Sequence, residues 1–138
     1  EQAAMGRAAA IPAESLESAQ PHLVDLSNLE ADLGGDLAFI GRLIDLFADV
    51  VPETVRAMEV ALAMEDLPSL SSAAHKLKSS AGILGVHRLH ALLSEVERLA
   101  EAGQPARLAP LVDETVATAA AAVDEVSRLR PRYSQETS

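Results

Sequence analysis

His75 stands among small residues on a segment with helical character, and two lysines follow it closely. The surrounding stretch AAHKLKSSAGILGVHRL covers residues 73–89. A neutral imidazole is a good nucleophile at physiological pH. Lys78 lies about one helical turn further on, so its ammonium group can reach the edge of the ring and make the surface locally positive. A transferred group with about two negative charges would be held there by charge-assisted hydrogen bonds. Phosphoryl is such a group.

The spacing around His75 predicts that its ring is exposed. In an α-helix, with about 100° per residue, the ring lies roughly 160° from Leu77, which centres the apolar stripe. We therefore expect the imidazole to point away from the core. The apolar stripe comprises Leu70, Ala73, Ala74, Leu77, Ala81 and Leu84. The side chains on the face of His75 are small and leave room for a partner protein; they are Ser71, Ser72, Ser79 and Gly82.

Amphipathic helices are predicted to position this face, because apolar residues recur every three or four positions. We predict helices at about 26–33, 37–62, 68–83, 86–101 and 106–130. Asp36, and either Asp25 or Ser27, are the predicted caps. Pro52 lies inside the second helix without shifting its register, so we expect a kink, or a break and restart, at that point. Four long helices with short loops favour an all-α, antiparallel four-helix bundle, with the short first helix over one end.

The composition excludes several classes of function. The chain has no cysteine, which rules out disulfides, thiol catalysis and zinc–thiolate sites. Its formal net charge of −10 argues against nucleic-acid binding. No apolar run approaches the ~20 residues of a membrane-spanning helix, and the N-terminus lacks a signal-peptide pattern. We expect a cytoplasmic domain without membrane contact.

Other site chemistries fit this sequence less well. Acyl transfer would need an oriented acid and an oxyanion hole, which only residues distant in sequence could supply. His87 and His90 have a metal-compatible spacing, but no carboxylate or third histidine accompanies them at helical spacing. We expect surface histidines at these two positions and no metal site. The acidic residues of the later helices are predicted to lie mostly on solvated polar faces rather than to form pairs of catalytic carboxylates; they are Glu95, Glu97, Glu101, Asp113, Glu114, Asp124 and Glu125.

The segment HKLKSSAGILG, residues 75–85, resembles the signature of histidine phosphotransfer (HPt) domains of bacterial two-component phosphorelays. That signature is His, any residue, an aliphatic residue, Lys, Gly, two small residues, two variable ones, an apolar residue and Gly. Ser79 stands where the family usually has Gly, so close approach is retained but partner preference can change. The positions that match are His75, Leu77, Lys78, Ser80, Ala81, Leu84 and Gly85. The resemblance extends over about residues 23–130.

The resemblance implies a fold, a four-helix bundle, and a function. The domain would accept a phosphoryl group on Nε2 of His75 from a receiver-domain aspartate and pass it to another receiver. Lys78 would stabilise the phosphoryl charge, and Lys76 would support it. Receiver domains are the implied partners. The domain would bind no nucleotide and need no cofactor, because the Mg²⁺ belongs to the receiver. The predicted docking residues are Ser71, Ser72, Ser79 and Gly82.

The expected organisation is a linker at 1–21, a monomeric HPt domain at 22–131 and a tail at 132–138. We expect it to be the C-terminal module of a hybrid sensor histidine kinase, whose other domains could be anchored in the inner membrane. Two alternatives compete with phosphotransfer. A kinase dimerisation helix normally has an acidic residue after its histidine and a proline a turn later, where this chain has Lys76 and Ser79. A degenerate bundle that only docks proteins is kept open by Ser79.

Overall fold

The computed structural model describes residues 23–133, which are all-α. The helices are α1 Ser27–Asp32, α2 Leu37–Ala63, α3 Leu67–Ile83, α4 His87–Glu101 and α5 Leu108–Leu129, with 3-10 turns at Pro105–Arg107 and Arg130–Tyr133. The four long helices pack in a ring in which α2 contacts α3, α3 contacts α4, α4 contacts α5 and α5 contacts α2. The predicted four-helix bundle with a short N-terminal helix is confirmed.

Pro52 lies within α2, which runs without interruption over 27 residues. Of the two outcomes expected at this proline, a break and restart does not occur. The proline is exposed, whereas Val51 and Met58 are buried. Because the ring lies on the solvent side, the loss of its N–H bond leaves the contacts of the core side in place.

Aspartates fix the starts of the first three helices. Asp36 caps α2 as predicted, since its carboxylate accepts a backbone N–H bond from the first turn. Asp25 accepts from both the backbone N–H and the hydroxyl of Ser27, at 3.1 and 2.6 Å, one position earlier than a standard cap. Asp66 caps α3 by accepting from the N–H of Ser69 at 3.2 Å and from its hydroxyl at 2.6 Å. This last cap sets where the helix that carries His75 begins.

Gly85, the final residue of the HKLKSSAGILG segment, lets residues 23–25 pack against the α3–α4 turn. Its φ is 69°, and a Cβ built on it would lie 1.9 Å from the carbonyl oxygen of Asp25. The N–H of Asp25 donates to the Gly85 carbonyl at 3.1 Å. The Glu125 carboxylate accepts from the N–H groups of Leu23 and Val24 on the other side. The glycine is therefore needed both for its backbone conformation and for close approach.

The core is built mainly from aliphatic side chains, together with Phe47 and Met58, and it extends to the C-terminal turn. Tyr133 is 4% exposed, and its hydroxyl donates to the carboxylate of Glu30. Arg130 pairs with Asp45 on α2 through bonds of 2.8 and 3.0 Å. The sequence pattern predicts a tail from residue 132, so the packed unit continues past the predicted boundary. The predicted linker and the remainder of the tail lie outside the described residues.

None of the helices between residues 23 and 133 combines the length and the apolar character that crossing a membrane requires.

Candidate functional site

His75 projects from the outer face of α3. Its side chain is 64% exposed, as the helical spacing predicts. The opposite face of α3 is buried in the core, although Ala73 is only half-buried. The fully buried residues of this helix are Leu70, Ala74, Leu77 and Ala81. The sequence therefore positions the imidazole for contact with another molecule.

Glu97, on α4, joins His75 to Lys78. One carboxylate oxygen lies 2.8 Å from Nδ1 of His75, and the other lies 2.7 Å from Nζ of Lys78. The Glu97 side chain is only 15% exposed. The prediction that it is a solvated surface residue is wrong, because its partners lie on the neighbouring helix. One signal could have found it: His75 and Glu97 are equally far along the chain from Val86, which lies in the α3–α4 turn.

The Glu97 contact decides which imidazole nitrogen is free. The hydrogen bond from Lys78, together with that from His75, holds the pKa of the Glu97 carboxyl below its usual value against the opposing effect of burial. Glu97 is thus ionised at neutral pH and can only accept hydrogen bonds. Nδ1 of His75 must then carry the hydrogen. In the neutral ring this leaves the lone pair on Nε2, at the edge away from Glu97.

Lys78 has its charge balanced in this arrangement. Its side chain is 25% exposed and its ammonium group forms the ion pair with Glu97. The sequence predicts a locally positive surface here. Glu97 compensates the charge of Lys78, while the exposed Lys76 contributes a second positive charge. Lys76 is exposed on the same helix. The imidazole of His75 is therefore part of a network with Glu97 and Lys78, and does not lie beside an unpaired Lys78 cation.

The small residues expected around the imidazole do share its region of α3. Ser72, Ser79 and Gly82 are exposed, and Ser71 is half-buried. The Ser79 hydroxyl donates to the backbone carbonyl of His75 at 3.4 Å, a common bond for serine in helices. The hydroxyl is thereby directed at the backbone, and the imidazole stays open at the position where Ser replaces the expected Gly.

Comparison with known families identifies the bundle. The family model described as the Hpt domain matches residues 42–130, which include His75, Lys78 and Glu97. The chain belongs to the Hpt domain family. A similar solved structure is that of histidine-containing phosphotransfer protein B (HptB) from Pseudomonas aeruginosa PAO1. The two sequences are 23% identical, and the match covers 83% of this chain and 99% of the HptB chain, with a TM-score of 0.73. At this identity the likeness shows the fold. No curated protein matches.

A second histidine borders the exposed face of this Hpt domain. A Cβ built on Gly82 would lie 3.5 Å from Cδ2 of His90, an ordinary contact, so α4 comes close to α3 here. His87 and His90 are both exposed. Within residues 23–133, no group of three or more histidine, aspartate or glutamate side chains could hold a metal ion. His22 lies outside the described residues.

Apolar side chains line the other border of the face. Ile83 of α3 is 55% exposed and Leu46 of α2 is 57% exposed. They flank a shallow hollow between the two helices, which Ser80, next to Ser79, also lines. The Hpt domain thus presents small polar residues around the imidazole and exposed apolar residues beside them.

Proposed function

We propose that this Hpt domain accepts a phosphoryl group on Nε2 of His75 from the aspartyl phosphate of a receiver domain, and passes it to the aspartate of another receiver. The observation that carries this proposal is the exposed imidazole whose Nδ1 hydrogen is held by Glu97. The same Glu97 carboxylate also contacts the ammonium group of Lys78, so the lysine lies close to the ring. Family membership supports the phosphorelay role.

The transfer needs no external base. The Nε2 lone pair of His75 attacks phosphorus, the bond between phosphorus and the aspartate oxygen breaks, and its electron pair returns to the aspartate as carboxylate. The Nδ1 hydrogen stays in place, and Glu97 stabilises the positive charge that develops on the ring. In the return step the second aspartate attacks phosphorus, and the electron pair of the P–N bond goes back to Nε2. The protein supplies positioning and electrostatic stabilisation.

The partner must come very close to the ring, because donor and acceptor atoms have to lie nearly in line. We propose that receivers dock over the face around His75, with the apolar pair Leu46 and Ile83 at its border. Mg²⁺ would be contributed by the receiver. A role limited to docking was kept open by Ser79, whose hydroxyl bonds to the backbone and leaves the ring 64% exposed. Phosphotransfer is therefore the function we favour.

Three expectations about context stay predictions. They are the cytoplasmic location, the monomeric state and the position at the C-terminal end of a hybrid sensor histidine kinase.

The function can be tested by a two-step transfer experiment. Receiver domains are phosphorylated on their aspartates with radiolabelled acetyl phosphate and Mg²⁺, freed of reagent, and mixed with the domain. We expect acid-labile, base-stable label on the domain, as a phosphohistidine gives. The label should leave when an unphosphorylated second receiver is added. Receivers that bind the domain but never transfer label to it would favour the docking-only role.

A further inference from the structure

Lys78 is already engaged before any phosphoryl group arrives. Its ammonium group is 2.7 Å from Glu97, whose other oxygen bonds to the imidazole. We propose that Lys78 exchanges partners on phosphorylation: its ammonium group leaves the Glu97 carboxylate and pairs with the phosphoryl group on His75. Glu97 is then a positioning residue, and its competition for Lys78 limits the fraction of the domain that is phosphorylated at equilibrium. This inference rests on the proposed function.

The geometry favours a movement of the lysine. Glu97 lies at the Nδ1 edge of the His75 ring, and the phosphoryl group forms on Nε2, at the edge away from Glu97. A flexible lysine side chain one turn from the histidine can swing from one edge to the other. The phosphoryl group, with a charge of about −1.5 to −2, attracts the ammonium more strongly than a single carboxylate does.

Among the described residues, Glu97 is the carboxylate that pairs with both His75 and Lys78. Glu101, one turn further along α4, accepts the hydroxyl of Ser71 at 3.3 Å. Lys76 is the only other lysine of the chain. After the exchange Glu97 keeps the Nδ1 hydrogen of His75 and loses its cation. The carboxylate therefore does two things: it orients the ring for attack, and it stabilises the unphosphorylated state through Lys78.

The consequence is a measurable coupling between the two residues. When Glu97 is present, the unphosphorylated domain gains an ion pair that the phosphorylated domain gives up. The loss of this ion pair cancels part of the free energy by which Lys78 stabilises the phosphohistidine. In a Glu97→Gln variant nothing competes for the lysine charge, so Lys78 should contribute more to loading than it does in the wild type.

The test is a double-mutant cycle on wild type, Lys78→Ala, Glu97→Gln and the double variant. Each protein is equilibrated with a fixed mixture of phosphoramidate and ammonia. In this reaction Nε2 of the histidine displaces ammonia from phosphorus. The phosphorylated fraction is measured by ³¹P NMR. Lys78→Ala should lower the loading constant about five-fold more in the Glu97→Gln background than in the wild type, the effect of one partly exposed ion pair. An equal or smaller effect in that background would overturn the proposal.

A spectroscopic measurement checks the movement itself. Because the chain has two lysines, ¹⁵N-lysine labelling gives one ammonium signal for Lys76 and one for Lys78. Phosphorylation should shift the Lys78 signal in the wild type and leave the Lys76 signal nearly in place. A Lys78 signal that does not move rules out the exchange. A His75→Gln variant tests the proposed function separately from the exchange of Lys78. If this variant takes up as much phosphoryl as the wild type, the proposed function is wrong, regardless of the result of the double-mutant cycle.

Discussion

Replacing Lys78 with alanine should weaken phosphoryl acceptance without unfolding the bundle. A hydrogen bond to a charged group contributes about 1.5–3 kcal/mol when well formed, and less when it is exposed. The Lys78 side chain is 25% exposed, and its ammonium must leave Glu97 before it can bind the phosphoryl group. We therefore expect a value below that range, about 1 kcal/mol, which corresponds to an equilibrium constant for phosphorylation that is about five-fold lower.

The assay mixes the variant with a labelled phosphorylated receiver and follows both the initial rate and the final distribution of label. Lys76→Ala is the matched control, because it removes the same charge from a neighbouring exposed position. It should change both quantities less than Lys78→Ala does. Wild-type rates and equilibria for Lys78→Ala would show that Lys78 takes no part. An effect of the same size from Lys76→Ala would point to general electrostatic attraction instead.

Two further predictions address the docking face and the fold. Gly82→Trp or Ser79→Trp should block transfer although the imidazole is intact, whereas Gln104→Trp, at the far end of the bundle, should leave transfer unchanged. If the Gly82→Trp and Ser79→Trp variants both still transfer phosphoryl, receivers dock on another face. Burial, followed by the Glu30 hydrogen bond, raises the pKa of Tyr133 to about 12. The stability that its neutral form provides should be complete below about pH 10, the unfolded value, and should be lost as the pH rises towards 12. Tyrosinate absorbance is clean, since the chain has one tyrosine and no tryptophan, and its appearance near pH 10 in the folded domain would contradict the packing described.

The arrangement of helices follows from local patterns, and these were sufficient for the fold. The apolar spacing along α2 persists through Pro52, so the helix tolerates a proline that faces solvent. Asp36 and the glycine-containing turns mark helix ends by local hydrogen bonding and backbone conformation. Tyr133 escaped prediction because its burial depends on contacts with α1 and α2, which lie far away in sequence.

The site shows the same division between local and long-range information. Exposure of His75 is a property of one helix, and the spacing within α3 predicts it. The state of Lys78 depends on Glu97, which is 22 residues from His75 and reaches it only through the register of α3 against α4. A single helical wheel carries no information on that register. The family signature covers residues 75–85 and so does not include the carboxylate that orients the ring.

The most direct test of the central claim is phosphoryl transfer to a His75→Gln variant from a receiver that labels the wild type. Glutamine keeps the size and polarity of the side chain at an exposed position, so the free energy of unfolding should change by no more than about 0.5 kcal/mol. We expect unchanged helicity and melting temperature together with complete loss of acid-labile label. Acid-labile label retained at the wild-type level in the folded variant would contradict the assignment of His75 as the phosphoryl acceptor.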